Sequence, residues 1–206
     1  MNKCTQERFL NDVKNHEMQI ISDDGVSRRI RFKEPGTSCY YFDLITWSGH
    51  LCVTGDCGTY VFNRIEDMFE FFRYDRINPG YWEEKCISID RHGGTEKYSP
   101  DKFKHCVLHA FWRDTSEMPR PERRELWAEI KEEVLPYAHD GIERALDAAM
   151  SFQHEEFEFI DFWENEFTEL SFHFIWNLYA IIYGISQYDQ ATKIATEQLK
   201  LCNNQS

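Results

Sequence analysis

The chain has 206 residues, of which 42% are hydrophobic and 16% aromatic, and its net charge is −13. This apolar content excludes a natively disordered chain, and the negative charge disfavours direct binding to nucleic acid. The most apolar stretch, residues 172–185, is shorter than the roughly 20 residues that a membrane span requires. The first ten residues lack the apolar run of a secretory signal. The sequence therefore predicts a soluble cytoplasmic protein.

The seven cysteines predict neither a disulfide framework nor a structural zinc site. Their number is odd, they are scattered along the chain, and none forms a CxxC pair. Reduced thiols, several of them buried as small apolar groups, are the expected state. No phosphate-binding glycine motif is present, and we expect no cofactor.

The N-terminal half predicts an antiparallel sheet packed by a helix. A short helix is expected over residues 5–15 and a strand over residues 28–32. Residues 40–62 contain three β-rich runs, which are separated by Ser48-Gly49 and by a predicted four-residue loop, residues 55–58. Asn63 with Glu66 resembles a helix cap, and it predicts a helix over residues 64–74. A further strand is expected over residues 82–90.

The C-terminal half predicts mainly helix. Ser99 followed by Pro100 is typical of a helix start. After the linker around Pro119 and Pro121, the chain is expected to be helical. The fold class predicted is α+β: an antiparallel β-meander packed by a helix, followed by a mainly helical part with one long helix. The predicted division is a body of residues 1–116 and an acidic, aromatic C-terminal part of residues 121–206.

The long helix is predicted over residues 152–183, where apolar residues recur with helical periodicity. On its opposite side the same period gives an acidic stripe: His154, Glu158, Asp161, Asn165 and Glu169. Farther along, the same side carries an aromatic stripe: Phe172, Trp176, Tyr179 and Tyr183. A helix that is apolar all round must be covered, either by the rest of the chain or by a second copy.

Charge is unevenly distributed over this region. Between residues 145 and 192 there are nine acidic residues and no lysine or arginine. A solvated helix face usually interleaves basic with acidic residues, so two interpretations stay open: an ordinary solvated face, or a surface for a basic partner. Glu158, Asp161, Glu164 and Glu169 are the carboxylates predicted to face such a partner.

Two catalytic arrangements are alternatives. A hydrolase or metal-dependent enzyme could use His50 with Asp43 and Asp56, together with Cys52 or Cys57 as a nucleophile. A metal site could combine His154 and Glu158 with Glu169 and His173, although carboxylate-bridged sites normally take such residues from several helices. No family-specific catalytic motif surrounds any of these residues, and we predict neither a catalytic residue nor a bound metal.

Several segments resemble a family of phage and prophage proteins. They are residues 42–47 (FDLITW), 55–59 (GDCGT), 66–73 (EDMFEFFR), the run around Tyr98-Ser99-Pro100, and the stretch from Phe162-Trp163-Glu164 to Tyr188-Asp189. The family is similar to the phage Gabija anti-defence proteins, which block a bacterial nuclease–helicase complex. This resemblance implies an oligomeric inhibitor, acting in the host cytoplasm, that binds the nuclease complex and keeps it from DNA. An anti-CRISPR protein or another phage protein that binds a host factor is the related alternative.

The expected contact residues follow from the two stripes. Partner contact or self-association is predicted through Phe172, Trp176 and Tyr179, with the acidic residues facing a DNA-handling surface.

Overall fold

The structure is a computed structural model that describes residues 3–91, 93–155 and 157–203, without the side chains of residue 196 and residues 199–203. It confirms the α+β class. The chain divides into two compact units: the first comprises residues 1–95 and 170–206, and the second comprises residues 96–169. This division differs from the predicted one because the C-terminal helix returns to the N-terminal sheet.

The first unit is built on a six-stranded antiparallel sheet in which sequence neighbours pair in the order β1 to β6. The strands are β1 (Glu17–Asp24), β2 (Ser27–Lys33), β3 (Phe42–Trp47), β4 (His50–Gly55), β5 (Gly58–Asn63) and β6 (Cys86–Ile89). Its helices are α1 (Gln6–Asp12), α2 (Met68–Phe72), α3 (Pro79–Glu83) and α7 (Phe172–Asn203). The predicted meander is confirmed, whereas β1 was not anticipated.

The apolar side chains that alternate along the strands point to one face of the sheet. Leu44 and Val53 are opposite each other in neighbouring strands, and both are fully buried. Helix α7 covers this face, and at Gly184 it approaches so closely that an added Cβ would lie 2.6 Å from Leu44 Cδ1. The close approach explains why a glycine occupies a helix interior at this point.

Several predicted boundaries are wrong. The loop between β4 and β5 has two residues, not four, because Gly55 and Gly58 pair in the ladder. The helix predicted over residues 64–74 is shortened to α2, and its cap is Asp67, whose side chain accepts a hydrogen bond from the Phe69 amide at 2.9 Å. Asn63 instead ends β5 and donates to the Gly49 carbonyl. The strand predicted over residues 82–90 is α3 followed by the shorter β6.

The second unit is mainly helical. It contains β7 (Glu96–Tyr98), α4 (Pro100–Asp114), α5 (Arg120–Glu133), α6 (Ile142–Ser151), β8 (Gln153–His154), β9 (Phe157–Glu158) and β10 (Thr168–Leu170), with 3₁₀ turns at Leu135–His139 and Phe162–Glu164. Helix α4 starts where Ser99-Pro100 predicted, and the Ser99 hydroxyl accepts a hydrogen bond from the Lys102 amide. A second core, centred on Phe103 and Ile130, fills this unit.

The long helix predicted over residues 152–183 is wrong in its first half. Residues 152–170 form two short strands, a 3₁₀ turn and a third short strand, and the helix begins only at Phe172. Glu155 and Asp161 have φ angles of 50° and 49°, which a right-handed helix does not allow. Ser171 caps α7 by accepting a hydrogen bond from the Phe174 amide. Among the described residues, no helix is both long and apolar enough to cross a membrane.

The net charge lies mostly in the second unit. Its 74 residues include 19 acidic and 9 basic side chains, a net charge of −10. The first unit, with 132 residues, has 17 acidic and 14 basic side chains, a net charge of −3. The acidic character of the protein is therefore concentrated in its smaller unit.

Candidate partner-binding groove

The second unit carries a wide open groove of about 1270 Å³. Seven carboxylates line it: Asp114, Glu117, Glu122, Glu155, Glu158, Asp161 and Glu164. The one basic residue in its lining is Arg113, whose guanidinium donates two hydrogen bonds to Asp114, at 2.6 and 2.7 Å. These hydrogen bonds raise the pKa of Arg113. Because Arg113 and Asp114 neutralise each other, six carboxylates remain without a matching cation in the lining.

Three stretches of the chain build the groove. The end of α4 supplies Asp114, the α4–α5 connection and first turn of α5 supply Glu117 and Glu122, and residues 155–165 supply the others. Residues 155–165 are anchored to the unit, because Phe157, Phe159 and Phe162 pack in its core. Left-handed backbone at Glu155 and Asp161 turns the chain at both ends of β9, so that the charged side chains point to solvent.

Apolar groups lie among these charges. Ile160, which lines the groove, is 65% exposed, and Trp163, on the 3₁₀ turn beside it, is 53% exposed. Met118 and Pro119 complete the apolar part of the lining. Exposed rings and aliphatic groups surrounded by polar groups are typical of protein–protein interfaces, where a few large side chains supply most of the binding energy.

The acidic residues predicted to bind a partner are only partly brought together. Glu158, Asp161 and Glu164 are exposed and line the groove. Glu169 lies elsewhere, on β10, where it accepts a hydrogen bond from Ser99 and pairs with Lys97. The acidic stripe does not exist as a helical face, because this segment is not a helix.

The predicted aromatic residues belong to the first unit, and they mostly serve its core. Trp176 is fully buried, stacks on Tyr40 at 5.6 Å and donates a hydrogen bond from Nε1 to Asp12. Tyr179 stacks on Phe9 at 5.9 Å, and the Arg8 guanidinium lies 4.5 Å from the Phe172 ring centroid. Trp176 is thus removed from any contact surface, whereas Phe172 and Tyr179 remain partly exposed. The aromatic side of α7 is therefore covered by other residues of the same chain, not by a second copy.

Four of the groove carboxylates were not predicted: Asp114, Glu117, Glu122 and Glu155. The first three are interspersed with Arg113, Arg120, Arg123 and Arg124, so a count along the chain shows no excess of negative charge there. They join the acidic group only because the α4–α5 connection folds beside residues 155–165. The one sequence feature that pointed to this region was the Met118-Pro119 helix break, which lies between Glu117 and Glu122.

The residues considered for catalysis have structural roles. Asp43 is buried and accepts hydrogen bonds from both Arg29 and Arg31. His50 Nδ1 donates to the Ser48 carbonyl, which leaves Nε2 to accept from the Asn63 amide. Asp56 accepts from the Tyr40 amide at 2.8 Å.

The two cysteines weighed as nucleophiles are protonated in the fold. Burial raises the pKa of the Cys57 thiol to about 12, with a further contribution from the charge of Asp56. Burial also raises the pKa of Cys52, again with a smaller effect from a nearby carboxylate, Asp43. A thiol with a raised pKa carries little of the reactive thiolate at neutral pH.

The histidine pairs considered for a metal do not assemble. His154 Nδ1 lies 2.6 Å from Glu129 Oε2 on α5, and Glu169 is engaged by Ser99 and Lys97. Across residues 3–91, 93–155 and 157–203 there is no group of three or more histidine, cysteine or acidic side chains that could hold a metal ion.

No family model, curated protein or solved structure matches the chain. The groove is therefore interpreted from its own geometry and charge. Its width and open form suit a segment of a macromolecule, because small-molecule sites enclose most of the ligand surface in an apolar cavity.

Proposed function

We propose that the protein acts by binding a basic surface of another protein in the acidic groove of its second unit. The observation that carries this proposal is the groove itself, with six uncompensated carboxylates around exposed Ile160. Charge of one sign in a concave surface raises the rate of encounter with a partner of opposite sign, and exposed apolar groups then supply short-range affinity.

The kind of partner follows from the same charges. Protein surfaces that bind DNA are rich in lysine and arginine, and a net charge of −10 on a unit of 74 residues is repelled by DNA and attracted to such surfaces. The narrower form of the proposal, which rests on the sequence resemblance, is an inhibitor that a phage makes in the host cytoplasm. Its target would be a bacterial defence nuclease complex of the Gabija type, kept from DNA.

The test is a pull-down from bacteria that carry a Gabija system, using the tagged full chain and two double variants. Glu158→Lys with Glu164→Lys reverses two exposed groove residues, and it leaves the left-handed Asp161 untouched. Glu125→Lys with Glu132→Lys is the matched control, because both residues are exposed on the same unit but outside the groove lining.

Co-elution of the nuclease with the wild type and the control, and its loss with the groove variant, is expected. Equal capture by all three proteins would reject the groove as the binding surface. Capture by none would reject this nuclease as the partner, and a pull-down from bacteria with other defence systems would follow.

A further inference from the structure

Helix α4 carries two exposed histidines, neither of which lines the groove. His105 and His109 are four residues apart, so they lie one turn apart on the same side of the helix, with Cβ atoms about 5–6 Å from each other. Both are exposed. The opposite side of α4 contributes Phe103, Val107 and Phe111 to the core of the unit, which fixes the helix and hence the spacing of the two imidazoles.

These two imidazoles are free to bind a ligand. Among the described residues neither makes a hydrogen bond or ion pair, whereas His16, His50, His139 and His154 each lie within hydrogen-bond distance of another group. The cations that α4 carries are directed to partners: Lys102 to Glu166, Lys104 to His139 and Arg113 to Asp114. Two of these three cations, Lys102 and Arg113, are therefore paired with carboxylates.

We propose that His105 and His109 form a two-imidazole site for a divalent transition metal ion. Histidines one turn apart on a helix place two ring nitrogens on one metal, and imidazole suits Cu²⁺, Ni²⁺ and Zn²⁺, with Cu²⁺ bound most tightly. Because no third protein ligand is within reach among the described residues, water fills the remaining coordination positions. The site is thus open, and a group from another molecule can complete it.

Two exposed apolar side chains lie next to the site. Leu108 and Trp112, which share this side of α4, are both exposed, and the Arg123 guanidinium lies 5.1 Å from the Trp112 ring centroid. A donor group brought in by a molecule that packs on this surface would replace the water.

The experiment is a titration of the full chain with Cu²⁺, in which binding is monitored by calorimetry and by electron paramagnetic resonance. Two linked ligands bind far more tightly than one, so either His105→Ala or His109→Ala is expected to weaken binding by about 100-fold. The resonance spectrum should change from two coupled nitrogens to one. His173→Ala is the control, because His173 is an exposed histidine on α7, and its loss should change neither result.

Unchanged affinity in both α4 variants would overturn the site. An equal loss in His173→Ala would also overturn it, because Cu²⁺ would then be bound adventitiously by scattered histidines. Both α4 substitutions remove exposed side chains, so a melting temperature equal to that of the wild type is expected.

Discussion

Arg28 connects three elements of the first unit. Its guanidinium forms two hydrogen bonds of 2.9 Å with Asp67, which caps α2, and lies 4.7 Å from the ring centroid of Phe69. Tyr188 of α7 lies below the same guanidinium at 5.7 Å and donates its hydroxyl to Asp23. A charge so far removed from water is stable only while its partners remain, and loss of one partner is costly.

Asp67→Asn is expected to destabilise the protein by about 3 kcal/mol at pH 7, because it removes the closer of the two carboxylates that pair with the buried Arg28 charge. Only Asp23 remains, with its Oδ1 3.8 Å from Arg28 Nε. Burial alone would raise the pKa of Asp67, but hydrogen bonds from Arg28 and the Phe69 amide outweigh it and lower the pKa. The pair therefore stabilises the fold fully above the unfolded pKa of about 3.9, and this contribution is lost as the pH falls through the lower, folded pKa.

The measurement is urea denaturation of both proteins at pH 7 and at pH 2.5, with the exposed Asp75→Asn as control. The difference between the wild type and Asp67→Asn should shrink at the lower pH, while the control stays within about 0.5 kcal/mol of the wild type at both. A difference that does not depend on pH would show that the ion pair is not its source.

At the element scale, the position of α7 on the sheet depends on Gly184. An added methyl group would lie 2.6 Å from Leu44 Cδ1, which is closer than real Cβ contacts come, and 3.0 Å from Phe32 Cε2, which is tighter than most of them. Gly184→Ala is expected to destabilise by about 1–3 kcal/mol, although alanine favours a helix. Gly80→Ala in α3, where an added Cβ meets nothing within 4 Å, is the control and should leave stability unchanged or slightly higher. Thermal denaturation of both variants measures the difference, and an equal melting temperature would contradict the close approach.

Substitutions of two tryptophans distinguish an effect on stability from an effect on partner binding. Trp176→Ala removes a fully buried side chain and is expected to cost about 3–5 kcal/mol in stability. Trp163→Ala removes a ring that is 53% exposed beside the groove, so it should change the melting temperature little and weaken partner binding by about tenfold or more. Denaturation and binding should be measured on both variants, and a Trp163 variant that unfolds early would assign that ring to the core.

The sequence predicted the elements whose side-chain period is unambiguous. In β4, buried Leu51 and Val53 alternate with half-buried neighbours, and a Ser-Pro pair marks the start of α4. Residues 152–170 were misassigned because their phenylalanines satisfy a helical period by chance, while aromatic-rich composition without alanine favours extended chain. The sequence feature that was missed is Asp161, since aspartate adopts a left-handed backbone more readily than most residues and does so here.

At the scale of the whole molecule, the candidate site could be predicted only in part. Glu158, Asp161 and Glu164 were predicted from the acidic composition of residues 145–192, and Glu155 lies in the same stretch but was not singled out. The other three carboxylates, Asp114, Glu117 and Glu122, join the groove through tertiary structure. Trp176 was assigned to a contact surface because a sequence does not show whether an apolar face is covered within the chain.

The concentration of charge in the second unit predicts that partner binding depends on salt. Attraction between exposed charges is screened over about 8 Å at physiological ionic strength, so the association rate should fall about tenfold or more between 50 and 300 mM NaCl. The dissociation rate, set by apolar groups such as Ile160 and Trp163, should change much less. Surface plasmon resonance on the captured partner measures both rates, and an association rate independent of salt would contradict electrostatic steering.

Under the proposed function the acidic groove competes with DNA for a basic surface, and a DNA-cleavage assay with a purified Gabija complex measures this competition. Wild-type protein and the control Glu125→Lys with Glu132→Lys should inhibit cleavage, and inhibition should weaken as the DNA concentration is raised. Glu158→Lys with Glu164→Lys should require at least about tenfold more protein for the same inhibition. Equal inhibition by the groove variant, or inhibition that excess DNA does not relieve, would show that the groove does not compete with DNA.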